Sequence, residues 1–469
     1  MAKRVVILGG GPAGYEAALT GARFGAEITL VENRGVGGAA VIADCVPSKS
    51  FIAGANIKTD LRRAEDMGLD QLSYNNEIDI HALNERVRSL AAEQSADIRR
   101  GLDEAGVRVI DGVGALADEG ASSAVHAVRV EPNGGEPETL EADYVVVATG
   151  AQPRILPGAK PDGERVLTWQ QIYNLDELPS HLVVVGSGVT GAEFVSAFAE
   201  LGVKVTMVAS RDRILPYDDA DAADVLEQVL GDRGVSLEKD ARVDTVENTG
   251  DGVVVRTNDG REITGSHALM TVGSVPHTEG IGLTEAGVEL TRSGHIHVDR
   301  VSRTNVPGIY AAGDCTDLFP LASVAAMQGR IAMHHALGES VSALRLKTVG
   351  TAVFTRPEIA TVGVTQKELE EDPTQAVRTI MLPLSSNPRA KMRSLRYGFV
   401  KLFSRKNSGR VIGGVVVAPV ASELILPIAL AVTNNLTVSE VARTFAVYPS
   451  LSGTITDAAR QLVGPDELE

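Results

Sequence analysis

The stretch that decides the fold is Val5-Val6-Ile7-Leu8-Gly9-Gly10-Gly11-Pro12-Ala13-Gly14. Its first four residues form a short apolar run, which is typical of a parallel strand covered on both faces. The glycines that follow predict the start of a helix running to about Phe24, and Ile28 to Val31 predict a second strand that ends at Glu32. The sequence therefore predicts a complete βαβ unit of the kind that binds a dinucleotide.

Each residue of this motif has a predicted role in holding the dinucleotide. Gly9 permits the turn, Gly11 lets a pyrophosphate approach the helix N-terminus, and Gly14 lets helix and strand pack closely. Glu32 follows at the spacing of an acid that accepts hydrogen bonds from the adenosine ribose hydroxyls. The predicted contacts are thus Gly9, Gly11, Pro12, Ala13, Gly14 and Glu32. A glycine-rich turn with a purely structural role is the alternative.

The same pattern occurs a second time along the chain. A predicted strand from Leu182 to Val185 leads into the turn Gly186-Ser187-Gly188-Val189-Thr190-Gly191. A helix to about Leu201 and a strand from Val203 to Val208 complete the unit. Two such units in one chain imply two dinucleotides.

The end of this second predicted strand lacks an acidic residue. Ala209 stands where the acid is expected, and Ser210 and Arg211 follow it. An acid would repel a 2′-phosphate, whereas serine and arginine can bind one through charge-assisted hydrogen bonds. The sequence therefore predicts that the second unit uses NADPH at least as well as NADH. The alternative is that Arg211 is an ordinary solvated turn residue.

Composition restricts the class of protein. The chain has 469 residues, enough for about three domains. Its net charge of −17 argues against nucleic acid or an anionic membrane as a partner. Its only cysteines, Cys45 and Cys315, are too few for a disulfide framework, which favours a reducing cytoplasm. Pro419 and Pro427 interrupt the apolar stretch from Val411 to Val432, so no membrane span is predicted. No metal site is predicted either.

After the first unit the chain reads Val36-Gly-Gly-Ala-Ala40-Val-Ile-Ala-Asp-Cys45-Val-Pro-Ser-Lys49. This segment resembles the redox segment of the flavin-dependent disulfide reductases, the family of lipoamide dehydrogenase and glutathione reductase. That family has Gly-Gly-x-Cys, four further residues, and then Cys-x-Pro-Ser-Lys. In this chain the second cysteine is Cys45, and the first position is Ala40. A single thiol cannot cycle as an intramolecular disulfide.

Later segments extend the resemblance to the flavin site. Ala148-Thr149-Gly150 matches a family segment that passes the flavin. The segment from Thr304 to Asp314 matches one whose aspartate accepts hydrogen bonds from the ribityl chain of the flavin. Leu321-Ala322 matches a segment near the flavin ring. The resemblance puts FAD on the first unit and NADH or NADPH on the second. The implied FAD contacts also include Gly38, Lys49, Gly114, Thr149, Gly150, Asp314, Leu321 and Ala322. The implied nicotinamide contacts are Gly186, Gly188, Gly191, Glu193, Ser210, Arg211 and Gly273.

From about Lys347 the chain resembles the family's dimer-interface domain, on segments such as Tyr397-Gly-Phe-Val-Lys401. The resemblance thus covers essentially the whole chain and implies an α/β, glutathione reductase-like fold. Two Rossmann-like dinucleotide-binding domains are followed by a C-terminal α+β dimerisation domain. The expected domains are 1–155 for FAD, 156–274 for NAD(P), 275–346 for a central domain returning to the FAD site, and 347–469 for the dimer interface. We expect a homodimer in the cytoplasm.

Two further catalytic residues of the family are replaced. Its C-terminal His-Pro-x-Leu-Ser-Glu, which the partner subunit presents to the disulfide, supplies an acid/base histidine and the glutamate that orients it. Here the segment reads Tyr448-Pro-Ser-Leu-Ser-Gly453. Thiol–disulfide exchange needs a base to form the thiolate near neutral pH. The sequence therefore argues against lipoamide or glutathione reduction.

The residues expected for hydride transfer are retained. Lys49 fits the family's lysine beside the flavin, and Glu193 fits its ion-pair partner, although two unrelated surface charges are the alternative. A fixed positive charge near the ring would stabilise the reduced flavin. Cys45 would lie against the ring as a lone thiol, inert rather than nucleophilic. Tyr448 could donate a proton to an acceptor, but a packing or hydrogen-bonding role is favoured.

The pattern most resembles the disulfide-free, lipoamide dehydrogenase-like NAD(P)H:quinone reductases. A small acceptor such as a quinone needs only hydride or electrons from a reduced flavin, together with protons. One alternative is a soluble pyridine nucleotide transhydrogenase, which moves hydride between nicotinamides. The other is a flavin-bearing structural or interaction protein, against which the retained Gly186, Gly188, Lys49 and Glu193 argue.

Overall fold

The structure is a computed structural model that describes residues 2–62, 64, 68, 78–117, 125–372 and 374–464. The chain divides into two compact units. Unit 1 comprises Met1–Ser50, His81–Arg154 and Gly273–Leu344, and unit 2 comprises Phe51–Ile80, Ile155–Val272 and Arg345–Glu469. The bounds of the four predicted domains stay predictions. The acidic tail at 466–469, which we expect to fray, lies outside the described residues.

The strands, in chain order, are β1 (Arg4–Leu8), β2 (Glu27–Glu32), β3 (Arg108–Leu116), β4 (His126–Pro132), β5 (Glu138–Ala142), β6 (Tyr144–Val147), β7 (Ala151–Pro153), β8 (Val166–Thr168), β9 (His181–Val185), β10 (Lys204–Val208), β11 (Ser236–Glu238), β12 (Val243–Asn248), β13 (Val253–Thr257), β14 (Glu262–Gly265), β15 (His267–Met270), β16 (Ser274–Pro276), β17 (Ile309–Ala311), β18 (Gly350–Val353), β19 (Glu358–Gly363), β20 (Val377–Pro383), β21 (Phe399–Arg405) and β22 (Val411–Ala418).

The helices, in the same order, are α1 (Pro12–Arg23), α2 (Gly38–Ile42), α3 (Cys45–Arg62), α4 (Ile80–Glu104), α5 (Val189–Glu200), α6 (Ala220–Asp232), α7 (Ala322–Ala336), α8 (Gln366–Glu371), α9 (Pro388–Met392), α10 (Ala421–Leu424), α11 (Leu426–Asn434), α12 (Val438–Arg443) and α13 (Gly453–Leu462). Short 3₁₀ helices span Ile172–Asn174, Leu346–Thr348 and Leu384–Ser386.

Unit 1 is built on a seven-stranded sheet in the order β17-β6-β1-β2-β3-β4-β5. The strands from β17 to β3 pair in parallel, and β4 and β5 continue the sheet in antiparallel fashion. Val5 and Ile7 of β1 belong to one buried core, and Val6 and Leu8 belong to another. Both faces of β1 are therefore covered, as its continuous apolar run predicts.

Unit 2 contains a five-stranded parallel sheet in the order β11-β10-β9-β15-β8 and a three-stranded antiparallel sheet of β12, β13 and β14. A second five-stranded sheet, β18-β19-β22-β21-β20, is antiparallel. Its strand β22 and the helices α10 and α11 occupy the apolar stretch that begins at Val411. None of the helices in the described part of the chain is both long and apolar enough to cross a membrane.

The two predicted βαβ units form with matching geometry. Strands β1 and β9 each have 5 residues, and helices α1 and α5 each have 12 residues. The helices end at Arg23 and Glu200, one residue before the predicted ends in both units. The helical spacing of apolar residues from Ile80 to about Leu102 also predicts a helix, which forms and continues to Glu104. The pattern of apolar residues therefore locates these elements to within about two residues.

A buried ion pair fixes the start of α6 in unit 2. Lys401 on β21 is 2% exposed, and its Nζ donates to both carboxylate oxygens of Asp219, at 2.8 and 2.7 Å. It also donates to Asp221 Oδ2 at 2.5 Å and to Gln366 Oε1 at 2.8 Å. Asp219 is the N-cap of α6. Burial, and then the negative charge of Asp219, raise the pKa of neighbouring Asp218 to about 6.

We predict that Lys401→Met lowers the thermal unfolding midpoint substantially. The substitution leaves the buried Asp219 and its neighbour Asp221 without their cation, and breaking a buried pair typically costs about 3–5 kcal/mol. The double variant Lys401→Met/Asp219→Asn should recover part of the loss, because the uncompensated charge is removed. The measurement is the midpoint of unfolding by circular dichroism at constant pH.

The matched control is Arg256→Met. Arg256 pairs with Glu247 and Glu262, and all three side chains are exposed, so its loss should leave the midpoint near that of the wild type. An equal drop in the unfolding midpoint of Arg256→Met and Lys401→Met would contradict the role assigned to the buried pair of Lys401 and Asp219.

Candidate active site

The first glycine turn has one position, Gly11, at which an added Cβ atom would overlap no described protein atom. A Cβ atom on Gly9, whose φ is +102°, would overlap the carbonyl oxygen of Ala148, and a Cβ atom on Gly14 would overlap Gly9 O. The protein's own packing therefore requires glycine at both places. Gly11 differs, because the nearest atom to its Cβ position is Gly38 Cα at 3.9 Å. The space in front of α1 is thus left for a ligand.

The second glycine turn repeats this arrangement. A Cβ atom on Gly186, at φ +115°, would overlap Thr271 O, and one on Gly191 would overlap Gly186 O. At Gly188, by contrast, a Cβ atom would meet no described atom of another segment within 4 Å. Gly188, the middle glycine, is again the position at which no described protein contact explains the lack of a side chain.

Both helices begin with backbone N–H groups that no side chain caps. Gly11 is the N-cap of α1 and Gly188 is the N-cap of α5, and neither helix has a side-chain capping hydrogen bond among the described residues. Such N–H groups and the helix dipole favour an anionic group. The residues present therefore fit a dinucleotide pyrophosphate at each turn.

Glu32 holds the first turn in place through its carboxylate. Its Oε2 accepts a hydrogen bond from Gly10 N at 2.7 Å, and its Oε1 accepts one from Arg34 N at 2.7 Å. The residue is 8% exposed. Each carboxylate oxygen has a second lone pair, so the predicted contact with ribose hydroxyls is compatible with these bonds and stays a prediction.

The equivalent position of the second unit carries no carboxylate. Ala209 is 1% exposed, and its N–H donates to Glu238 O at 2.8 Å. Ser210 and Arg211 follow it on the surface, and the Arg211 side chain makes no hydrogen bond or ion pair to another described residue. Leu215 N, further along the same loop, donates to Ser187 O at 2.8 Å. This contact ties the loop that carries Ser210 and Arg211 to the second glycine turn.

Gly38 lies directly on the first turn. Gly37 N donates to Gly10 O at 2.8 Å, and a Cβ atom on Gly38, whose φ is +58°, would lie 2.7 Å from Gly11 Cα. The segment that leads to Cys45 therefore packs on the turn that is predicted to hold FAD. Cys45 itself is the half-buried first residue of α3, and Lys49 is half-buried on the same helix.

Asp314 and the start of α7 belong to the same site. A Cβ atom on Gly329 of α7 would overlap Ala13 O, so α7 packs closely on α1, and Leu321 and Ala322 form its first turn. Burial, and then the negative charge of Asp44, raise the pKa of Asp314 to about 6. A half-buried carboxylate of this kind is stabilised by hydroxyl donors, which fits the ribityl chain of a flavin.

Thr149 and Gly150 contact a residue that the sequence motifs did not single out. Thr149 Oγ1 donates to His277 O at 2.6 Å, and His277 N donates to Gly150 O at 2.9 Å.

Gly114 has a packing reason to be glycine, because a Cβ atom there would lie 2.5 Å from Leu8 Cδ2. Its predicted contact with FAD stays a prediction.

The residues predicted to act in hydride transfer and on the acceptor are distributed over both units. Lys49 and Cys45 lie in unit 1, as does Gly273, whereas Glu193 lies in unit 2. Glu193 is 3% exposed, and its Oε1 accepts a hydrogen bond from Phe354 N at 2.9 Å. The pairing of Glu193 with Lys49 stays a prediction.

Tyr448 lies in unit 2 and is 82% exposed. It lines an open cavity of about 470 Å³ together with Arg389, Arg393 and apolar side chains that include Val447 and Leu451. The cavity combines cationic and apolar groups, which suits a flat, partly polar molecule. Arg389 and Arg393 lie in no recognised motif, so no sequence pattern indicated that they line a candidate site.

The sequence profile of the pyridine nucleotide-disulphide oxidoreductases matches residues 3–329, and that of their dimerisation domain matches residues 349–459. The chain belongs to this family. The predicted family and the α/β, glutathione reductase-like fold are therefore confirmed. A member of this family is an oxidoreductase that uses FAD and a nicotinamide nucleotide, so the predicted enzyme class and cofactors are confirmed as well.

Two relatives align with nearly the full length of the chain. An NAD(P)H dehydrogenase (quinone) of Mycobacterium tuberculosis is 59% identical over 100% of this chain and 96% of its own length. A dihydrolipoyl dehydrogenase of Haloferax volcanii is 33% identical over 98% of this chain and 96% of its own.

Solved structures of family members have the same fold. LpdA of Mycobacterium tuberculosis is similar with a TM-score of 0.95 at 59% identity, covering 99% of this chain and 100% of that one. The HOCl-induced flavoprotein disulfide reductase of Escherichia coli has a TM-score of 0.85 at 25% identity, covering 98% and 99%.

We predict that Ala209→Glu shifts the cofactor preference toward NADH. Glu32 shows how such a carboxylate is held by two backbone N–H groups, and the equivalent groups in the second unit are those of Ser187 and Arg211. The added charge would repel a 2′-phosphate. Arg211→Ala should raise the KM for NADPH about tenfold, the worth of one charge-assisted hydrogen bond, and barely change that for NADH.

The measurement is the ratio of kcat/KM for the two nucleotides, at low and at high salt, since screening should weaken the arginine contact. Arg256→Ala, at an exposed position on β13, is the control and should leave the ratio unchanged. If the wild type strongly prefers NADH and neither substitution moves the ratio, Ser210 and Arg211 have no part in nucleotide recognition.

Proposed function

We propose that the protein is a homodimeric, FAD-dependent NAD(P)H:quinone oxidoreductase of the cytoplasm that has no dithiol chemistry. The observation that carries the proposal is the cysteine inventory: Cys45 and Cys315 are the only cysteines of the sequence, and no disulfide joins them. The name of the relative at 59% identity, NAD(P)H dehydrogenase (quinone), supports the acceptor class. The match to the family's dimerisation domain supports the homodimer.

Cys315 is unsuited to replace the thiol missing at Ala40. It is fully buried, and burial raises its pKa to about 11. Its Sγ donates weakly to Val147 O and Ala312 O, at 3.5 and 3.4 Å. Since the thiolate is the reactive form of cysteine, a buried and protonated thiol is inert. Cys45 is then the sole thiol near the predicted flavin, and no internal disulfide can store a pair of electrons.

The base required for thiol chemistry is replaced as well. Tyr448 and Gly453 occupy the places of the family's histidine and glutamate, and a phenol is a poor base near neutral pH. A quinone requires no such base, because it accepts electrons or hydride directly and is then protonated. The cavity beside Tyr448, with Arg389 and Arg393, can place a hydroxyl or a cation near an acceptor oxygen.

The remaining residues have defined roles in the proposed reaction. The N-terminus of α1 binds the pyrophosphate of FAD, and Asp314 accepts hydrogen bonds from ribityl hydroxyls. Bound FAD supplies the capacity to take hydride from the nicotinamide and to release electrons to the acceptor. Lys49 provides a positive charge that stabilises the electron-rich ring, and Glu193 is proposed to orient it.

We predict that the purified protein reduces menadione with NADPH or NADH, while dihydrolipoamide oxidation and glutathione disulfide reduction stay at background. Ala40→Cys should not restore lipoamide activity, because the base is still absent. Loss of two titratable thiols in this variant would show that the disulfide has formed. Ala39→Cys, one position away, is the matched control.

Three outcomes would overturn the proposal. The first is substantial lipoamide turnover by the unmodified protein or by Ala40→Cys. The second is hydride transfer from NADPH to an oxidised NAD analogue that far exceeds menadione reduction, which would assign the chain to the transhydrogenases. The third is a folded, FAD-containing protein that no nicotinamide reduces, which would favour the structural alternative.

A further inference from the structure

The side chain of His277 has a buried nitrogen that no part of the described chain satisfies. Its Nε2 has no hydrogen-bond partner among the described residues, although the atom is shielded from solvent. Buried polar atoms in proteins are nearly always hydrogen-bonded, because an unsatisfied one costs free energy. The sequence motifs gave no role to this histidine, which directly follows β16.

The position of His277 is fixed beside the first glycine turn. Its backbone N–H donates to Gly150 O at 2.9 Å, and its carbonyl oxygen accepts from Thr149 Oγ1 at 2.6 Å. Thr149 N in turn lies 3.1 Å from where a Cβ atom on Gly9 would be. The backbone N–H and the carbonyl oxygen of His277 are therefore both hydrogen-bonded to Thr149 and Gly150, which border the first glycine turn.

The electrostatic surroundings of His277 keep its ring neutral. Burial, and then the positive charge of Arg34, lower its pKa. Arg34 N donates to Glu32 Oε1, so Arg34 follows the acid that is predicted to bind the adenosine ribose. A neutral imidazole has one donor and one acceptor nitrogen. Nε2 can thus bond a polar atom of a ligand in either tautomer without adding a charge.

The hydrogen bonds made by the backbone of His277 do not explain why this residue is a histidine. The two bonds that hold the residue are made by its backbone, so they fix its place but not the chemical nature of its side chain. An apolar residue of similar size would satisfy the same two bonds and bury no unsatisfied atom. The imidazole requires a partner that the described part of the chain does not provide, and the bordering turn is where we expect FAD to bind.

We propose that His277 is an FAD ligand, whose Nε2 hydrogen-bonds the adenosine diphosphate half of the cofactor at the Gly9–Gly14 turn. The geometry that carries this is the unsatisfied, buried Nε2 and the attachment of His277 to Thr149 and Gly150 beside the first glycine turn. The proposal rests on the FAD site and not on the identity of the electron acceptor, so the two can fail separately.

The test uses three substitutions that place different atoms near Nε2. His277→Gln carries its terminal amide close to the Nε2 position and should keep FAD affinity within about twofold. His277→Asn reaches only to the Nδ1 position, and His277→Ala has no polar atom, so both should weaken FAD binding about tenfold. The dissociation constant is measured from the rise in flavin fluorescence when the holoenzyme is serially diluted.

Competition with ADP identifies the half of the cofactor that His277 contacts. ADP contains the adenosine diphosphate but no flavin, and it displaces FAD from the diluted holoenzyme. Its inhibition constant should rise by the same factor as the FAD dissociation constant in His277→Asn and His277→Ala.

The matched control is His295 in the same unit. It is also half-buried, but its Nδ1 already has a partner in Ser293 Oγ at 2.9 Å. The same three substitutions at His295 should leave FAD and ADP binding unchanged. Circular dichroism confirms that each variant is folded.

Three results would overturn the proposal. In the first, folded His277→Asn binds FAD as tightly as the wild type. In the second, FAD binding weakens while the inhibition constant of ADP does not change. In the third, His277→Gln loses as much affinity as His277→Ala, which would show that a polar atom at the Nε2 position does not support FAD binding.

Discussion

The structure depends on helices that begin directly at the end of a parallel strand. Such a helix can lie this close only because Gly14 and Gly191 have no Cβ atom to overlap the carbonyl oxygens of Gly9 and Gly186. Gly11 and Gly188 are the N-caps of α1 and α5, and among the described residues no side chain caps the first N–H groups of either helix. Binding of two anionic cofactors follows from this backbone geometry, and the rest of each unit supports it.

The same framework accommodates more than one chemistry, because the reactive groups lie on segments that pack onto the turn. The segment from Gly37 to Cys45 contacts the first turn through its backbone, so replacing a cysteine by Ala40 changes the electron capacity and not the fold. The C-terminal segment with Tyr448 is likewise a surface of unit 2. Loss of the thiol and of the base therefore leaves hydride transfer from nicotinamide to FAD intact in the proposed mechanism.

Local sequence signals predicted the repeated βαβ units, the glycine positions and the family. These features depend on residues that are close in the sequence, and their spacing is fixed by the helix and strand periods. The change from Glu32 to Ala209 at the same place in the two units was visible for the same reason.

Long-range contacts were not predictable in this way. His277 approaches Thr149 and Gly150, and Lys401 reaches Asp219, across more than a hundred residues, and neither contact has a local pattern. Gly114 was assigned to FAD by resemblance, and its close packing against Leu8 Cδ2 in the structure was likewise not visible in the sequence. The helices α2 and α3 also had no clear period, because glycines and small residues dominate the segment before Cys45.

The central claim is that FAD is the only two-electron centre of the chain. Anaerobic titration of the purified holoenzyme with dithionite tests it directly, with flavin absorbance recorded after each addition. The account predicts complete bleaching of the flavin after one two-electron equivalent per FAD, since a lone Cys45 adds no capacity. Uptake of a second equivalent per FAD would reveal a further redox group and contradict the account.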